Sequence, residues 1–220
     1  MKRILIINGH PNKDSFNFAL SEAYAEGAME SGNAEIKFLN INELNFDVNL
    51  AYGYKKRTEL EADLLDAQEL LRWSDHVVVT FPTWFGSTPA ILKGFFDRTF
   101  LPEFAFRYHE KGVFWDKLLL GRTGRVLVTM DMPPIYYFFR HGSPGNRAIK
   151  GLTLDFVGIK TKVSSFGRIQ DSSDKQREKW LLRAKKLGRK DAMSKMKGQK
   201  VEPGILTDKS GKVQRSLSYN

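Results

Sequence analysis

Cysteine is absent from all 220 residues. Its absence excludes disulfide bridges, thiolate metal centres and cysteine nucleophiles, and it suits a reducing compartment, so a cytoplasmic location and no metal site are expected. Long hydrophobic runs are absent too. No stretch approaches the roughly 20 apolar residues that cross a bilayer, and no membrane insertion is expected. Lys2 and Arg3 before Ile4-Leu5-Ile6-Ile7 imitate the start of a signal peptide, but the run ends at Asn8 without a small-residue cleavage site. It reads as a first strand. Neither GxGxxG nor a Gly-Lys-Ser/Thr ending occurs, which argues against nucleoside triphosphates.

What the chain has in excess is positive charge, a formal +10. Residues 1–174 carry 21 Lys/Arg and 21 Asp/Glu, whereas residues 175–220 carry 14 and 4, so the whole surplus lies in the last fifth. The main body is electrically neutral. The run from Lys175 to Lys200 reads as a solvated helix face followed by a tail, with Trp180 as its one aromatic, and no nucleic-acid partner is expected.

Short aliphatic runs alternate with helical patterns, the sequence form of an α/β protein built from βαβ units. Strands are expected at Arg3–Asn8, Glu35–Asn40, His76–Phe81, Arg125–Met130 and Lys162–Phe166. Helices are expected at Ser15–Ser31, Lys56–Trp73, Pro89–Phe100, Gly145–Val157 and Asp174–Lys190. Val77-Val78-Val79 has the continuous apolarity of a central strand covered on both faces. Leu60, Leu64, Ala67, Leu70 and Leu71 recur at helical spacing. The Asp171-Ser172-Ser173-Asp174 cluster offers an N-cap to the last helix, with Trp180, Ala184 and Leu187 as its inward stripe. One domain over 1–190 and a basic tail over 191–220 are expected.

In a doubly wound five-stranded parallel sheet of order 2-1-3-4-5, with helices on both faces, ligands bind beyond the carboxyl ends of strands one and three. Both strands end in notable loops. After strand one, Gly9-His10-Pro11-Asn12-Lys13-Asp14-Ser15-Phe16-Asn17 leads into a helix whose free N–H groups favour a phosphate, with His10, Ser15, Phe16 and Asn17 as contacts. After strand three, Pro82-Thr83-Trp84-Phe85 places aromatic surface and backbone donors where a flat ring would lie. The loop after strand four, Thr129-Met130-Asp131-Met132-Pro133-Pro134, borders the same crevice, and Tyr136-Tyr137-Phe138-Phe139 follows as aromatic wall.

The combination of GHPNKDSFNFAL, FPTWFGSTPAILKGFFDRTFLPEFAF and the βαβ spacing between them, covering roughly residues 2 to 190, resembles the NAD(P)H:quinone oxidoreductase family of flavodoxin-like flavoproteins. The resemblance implies a homodimeric enzyme with non-covalent FAD or FMN. It would take hydride from NAD(P)H and reduce quinones or similar electrophilic aromatic acceptors in a second, ping-pong half-reaction. It also implies that Gln68 lies near the dinucleotide of FAD-binding members, which favours FAD, and that Phe104, Phe106, Tyr108 and Tyr137 form the substrate region. Met130-Asp131-Met132-Pro133 departs from the small-residue loop of many relatives. Tyr136 and His141 are the nearest matches to a catalytic Tyr and His, at a different spacing.

Plainer assignments stand beside these. Trp84 and Phe85 would serve equally as interface aromatics, and Ser15 as a helix cap. Asp97 and Arg98 read as a helix-surface ion pair or dimer contact. A second functional class is a regulatory flavoprotein, an ancillary subunit of a membrane transport protein.

Overall fold

The computed structural model describes residues 1–53, 55–56, 58–109, 113–195 and 200–201, and the backbone of 206–207 and 213–214. Most of the expected tail lies outside the described residues. In chain order the elements are β1 (Lys2–Asn8), α1 (Phe16–Met29), β2 (Ala34–Asn40), α2 (Ala62–Trp73), β3 (His76–Pro82), α3 (Ala90–Thr99), β4 (Phe106–Tyr108) and β5 (Trp115–Lys117). They continue with β6 (Thr123–Met130), α4 (Pro134–His141), α5 (Pro144–Arg147), a π-helical stretch at Ala148–Leu154, β7 (Lys160–Gly167) and α6 (Asp174–Ala192).

Five parallel strands form one sheet in the order β2-β1-β3-β6-β7, which is 2-1-3-4-5 once the small antiparallel β4-β5 hairpin is set aside. Alternation along each strand fills two cores. Leu5, Ile7, Val77, Val79, Val126 and Val128 meet Leu64, Ala67, Leu71 and Phe95 of α2 and α3 on one face. Ile4, Ile6, Val78 and Leu127 meet Leu20 and Tyr24 of α1 and Ala184 of α6 on the other. A strand covered on both sides has no polar position to spare, hence the unbroken valines of β3.

Helices α1 and α6 touch backbone to backbone. A Cβ on Gly27 would lie 1.9 Å from the Lys185 carbonyl oxygen, and one on Gly188 would lie 1.9 Å from that of Tyr24. Ser173 caps α6 as expected, its side chain accepting from the Gln176 N–H at 3.3 Å. Trp180 and Leu187 are partly buried beside the fully buried Ala184.

Three sequence expectations shift. The helix expected from Lys56 begins only at Ala62. The cause is Arg98, which is 1% exposed rather than a surface residue. Its guanidinium donates to the Asp47 and Glu59 carbonyls and pairs with Glu61 at 2.7 Å, holding the chain before α2 extended. Asp97 alone makes the surface pair, with Lys93 at 2.6 Å. Second, Tyr136–Phe139 form a helix rather than a loop wall. Pro134 opens α4 with its fixed φ, and Gly142 at φ 66° closes it in a left-handed cap. Third, the helix expected over 145–157 breaks into α5 and the π-helical stretch.

The last turn of α6 is tied to the sheet through a buried cluster. Asp191 pairs with Arg125 and accepts from the Tyr24 hydroxyl at 2.8 Å, while Lys2 donates to its backbone carbonyl at 2.8 Å. The expected boundary at 190/191 therefore falls inside a docked helix.

Candidate active site

The carboxyl ends of β1, β3 and β6 converge on one crevice. Asn8 ends β1 fully buried. It accepts from the Thr80 hydroxyl at 2.8 Å and donates to Asn40 at 2.8 Å, which fixes where the first loop leaves the sheet. Gly9 then donates to the Thr80 carbonyl at 2.8 Å. Within the loop, Nδ1 of His10 accepts from the Asn12 N–H at 2.9 Å, and Asn12 accepts from the Asp14 N–H at 2.9 Å. Accepting at Nδ1 leaves the His10 proton on Nε2, and burial lowers the pKa of the ring below the usual histidine value. His10 thus offers a neutral N–H rather than a charge.

Ser15 stands at the N-cap of α1, extended at φ −80° and ψ 156°, yet its side chain makes no capping bond. Its Oγ is buried and without a partner, as are Nδ2 of Asn17 and Oγ1 of Thr83. Asn17 is oriented by Thr129, whose hydroxyl donates to its Oδ1 at 2.9 Å, and the Thr83 N–H donates to the Thr129 carbonyl at 2.7 Å. Three side-chain donors at adjacent strand ends are thus held in place with nothing to donate to. An unsatisfied buried polar group costs about 1–3 kcal/mol, so this cluster fits a ligand rich in acceptors. The oxygens and ring nitrogens of a flavin phosphate meet that requirement, and the N-terminus of α1 adds its dipole.

Above these donors, Trp84–Ser87 form a tight turn closed by reciprocal backbone bonds of 2.9 Å. Phe85 and Gly86 both have positive φ, 48° and 75°. This is the pattern of a type I′ turn, which glycine or asparagine normally fills. Phe85 is therefore held in a strained conformation, and its ring is fully exposed. Trp84 is half-exposed, its ring 5.6 Å from that of His10 in an edge arrangement. The turn is clamped from α4: the buried Tyr137 hydroxyl donates to the Gly86 carbonyl at 2.8 Å and accepts from the Gly145 N–H at 2.8 Å.

The other expected contacts divide. Phe16 begins α1 and Pro82 ends β3. The Met130 side chain is core, leaving only its backbone to the crevice; Met132 is exposed; Asp131 accepts from the Gln170 N–H at 3.1 Å. Gln68 is buried and donates to the Thr99 carbonyl at 3.0 Å, joining α2 to α3. Phe104 and Phe106 belong to the main core. Tyr108 is exposed on the hairpin, whose Trp115 stacks on Phe156 at 4.4 Å. Among the described residues, no hydrogen bond or ring contact joins Tyr108 to the Trp84 turn. Tyr136 and His141 share the outer side of α4 with ring centroids 5.8 Å apart, both exposed.

Asn146 escaped the sequence reading, which placed Thr129 in the loop bordering the crevice but gave it no contact. Asn146 sits on α5 and has a buried Oδ1 without a partner. The available signal for Thr129 was a lone polar residue at the end of the apolar run Val126-Leu127-Val128. Among the described residues there is no group of His, Asp and Glu arranged to hold a metal.

The fold and this crevice define a flavodoxin-like protein. A family model described as flavodoxin-like fold matches residues 2–187, and the chain belongs to that family. It is 30% identical over 215 residues to human ribosyldihydronicotinamide dehydrogenase [quinone], covering 83% of this chain and 88% of that protein. It is 31% identical over 143 residues to rat NAD(P)H dehydrogenase [quinone] 1, covering 54% of this chain and 52% of that protein. The match thus spans about half the length of the rat enzyme. Among solved structures, the NAD(P)H:quinone oxidoreductase of Methanothermobacter marburgensis superposes with a TM-score of 0.71 at 24% identity, over 86% of this chain and 98% of that one.

Proposed function

We propose that this chain is a flavin-dependent oxidoreductase that passes reducing equivalents from NAD(P)H to quinones or related electrophilic aromatic compounds. The observation that carries this reading is the set of unpaired buried donors, Ser15 Oγ, Asn17 Nδ2 and Thr83 Oγ1, beneath a strained and exposed aromatic turn. Names borne by the relatives point the same way. A flavin bound here would supply the hydride chemistry between NAD(P)H and the acceptor.

The protein's part is to bind, orient and exclude water. Ser15, Asn17 and the first turn of α1 would hold the phosphate, and Nε2–H of His10 would donate beside it. Thr83 and the backbone of Trp84–Ser87 would address the polar edge of the ring, while Trp84 and Phe85 would cover it. Tyr137 keeps the turn rigid, because its hydroxyl bonds both Gly86 and Gly145. Tyr136 and His141 remain the candidates for proton support at the reduced ring, although both stand exposed on the outer side of α4. One crevice serves donor and acceptor in succession, which gives ping-pong kinetics.

These contacts involve the flavin–phosphate portion that FAD and FMN share. The Gln68 amide is directed into the α2–α3 seam, so its match to FAD-binding relatives adds little weight toward FAD. A homodimer completes the site in this reading. Ile135, Phe138 and Phe139 on α4, with Val113 and Phe114 on the hairpin, are strongly exposed apolar residues. A second copy would cover them and bring its Tyr108 to the crevice.

The test is to release bound cofactor from purified protein by heat, identify it against FAD and FMN standards, and measure NAD(P)H oxidation with a panel of quinones. A stoichiometric flavin and parallel double-reciprocal lines are expected. Failure of the protein to bind either flavin would overturn the reading.

A further inference from the structure

At the opposite, amino-terminal edge of the sheet lies a second cavity of about 330 Å³, lined by His76, Thr123, Gly124, Lys150, Asp155, Lys160, Thr161, Lys162, Asp191, Ser194 and Lys195. We propose that it is a binding site for a small phosphate-bearing anion, separate from the flavin crevice.

The charge around it is unbalanced. Four lysines face two carboxylates, and both carboxylates are already engaged. Asp191 is held by Arg125 and Tyr24. Asp155 pairs with Lys150 and accepts from the Thr161 N–H at 2.9 Å. Lys160, Lys162 and Lys195 have no ion-pair partner among the described residues. Lys2, buried next to this cavity, donates to Ser194 and to the Asp191 carbonyl and adds a further cation.

Cations crowded round a concave site repel one another and raise its potential, and an anion relieves both effects. Floor and rim differ as a built site requires. His76, Thr161 and Asp191 are buried, with their hydrogen bonds internally arranged, whereas Lys160, Lys162 and Lys195 are exposed at the mouth with freedom to close on a ligand. His76 takes no charge near neutral pH, because burial lowers its pKa to about 3. The ammonium groups therefore do the recognising. As point charges with three donors each, they suit a phosphate better than a planar carboxylate. The volume is at the small end for ligand pockets, roughly 300–1,000 Å³, which suits a pyrophosphate or sugar phosphate rather than a whole dinucleotide. The two edges lie a strand length apart, roughly 20 Å, so one ligand's phosphate cannot be the other's.

The test is calorimetric titration of flavin-saturated protein with pyrophosphate at fixed ionic strength, with sulfate as the matched control anion. Saturable binding of one pyrophosphate per chain is expected. The triple variant Lys160→Ala, Lys162→Ala, Lys195→Ala should weaken it by at least about tenfold, the size of losing charge-assisted hydrogen bonds. Lys175→Ala with Lys179→Ala, on the exposed side of α6, should leave it within about twofold. Melting temperatures of all variants confirm folding. Absence of saturable pyrophosphate heat, or equal loss in the α6 control, would each overturn the proposal. None of these results bears on whether the carboxyl-edge crevice binds flavin.

Discussion

The two edges of one sheet handle polar groups in opposite ways. At the amino-terminal edge, Lys2, Tyr24, His76, Thr123, Arg125 and Asp191 are buried or nearly so, and each is paired within a continuous network. At the carboxyl edge, Ser15, Asn17 and Thr83 are held just as firmly but keep unpaired donors, and Phe85 sits strained in solvent. A satisfied network contributes to folding, whereas donors fixed without acceptors are preorganised for a ligand. The same strands supply both, which is why ligand binding can be altered at one end without loosening the other.

The strongest way to break this contrast is Asp191→Ala. It would strand the Arg125 guanidinium in the core, and a loss of about 3–5 kcal/mol is expected from urea unfolding. Acid should act on the same edge by a related route. Burial holds the His76 pKa at about 3, against about 6.5 for an unfolded histidine. Between those values the unfolded chain binds the extra proton, so this stabilisation is complete above about pH 6.5 and falls by up to about 1.4 kcal/mol for each pH unit below it. Burial alone would raise the Asp191 pKa, but its bonds to Arg125 and the Tyr24 hydroxyl hold it below the usual value. Its contribution is present above the ordinary carboxylate pKa and disappears only in stronger acid. Urea midpoints from about pH 7.5 to about pH 5 should therefore fall steadily, and a flat profile would show that His76 is not neutral when folded.

Smaller effects should appear at the carboxyl edge. Tyr137→Phe removes the bonds to Gly86 and Gly145 while keeping the ring, and a loss of about 1–2 kcal/mol is expected, with weaker flavin retention in dialysis. Ser15→Ala should leave the stability of the flavin-free protein within about 0.5 kcal/mol, because the hydroxyl it removes makes no bond there. Flavin affinity, measured by fluorescence quenching, should nevertheless fall about tenfold. A large stability loss from Ser15→Ala would erase the distinction between the two edges.

The sheet was legible because each strand is a local apolar run whose continuity reflects burial on both faces; all five expected strands are found, within two residues at their ends. The two ligand loops were legible from their positions after strands one and three. Helix α4 could have been read from Pro133-Pro134 and Gly142, but the aromatic run drew attention to side chains instead. The late start of α2 was beyond local reading, since Arg98, 37 residues after Glu61, sets it.

Sequence by itself determined the elements, their alternation and the two loops that face the crevice, because periodicity and turn chemistry act over a few residues. Tertiary structure alone decided which polar side chains are spent. It turned Gln68, Phe104 and Phe106 into core, left Ser15, Asn17 and Thr83 unpaired, and set Asp191 against Arg125. Burial and hydrogen bonding depend on distant chain segments meeting, and no local pattern records which partners will arrive.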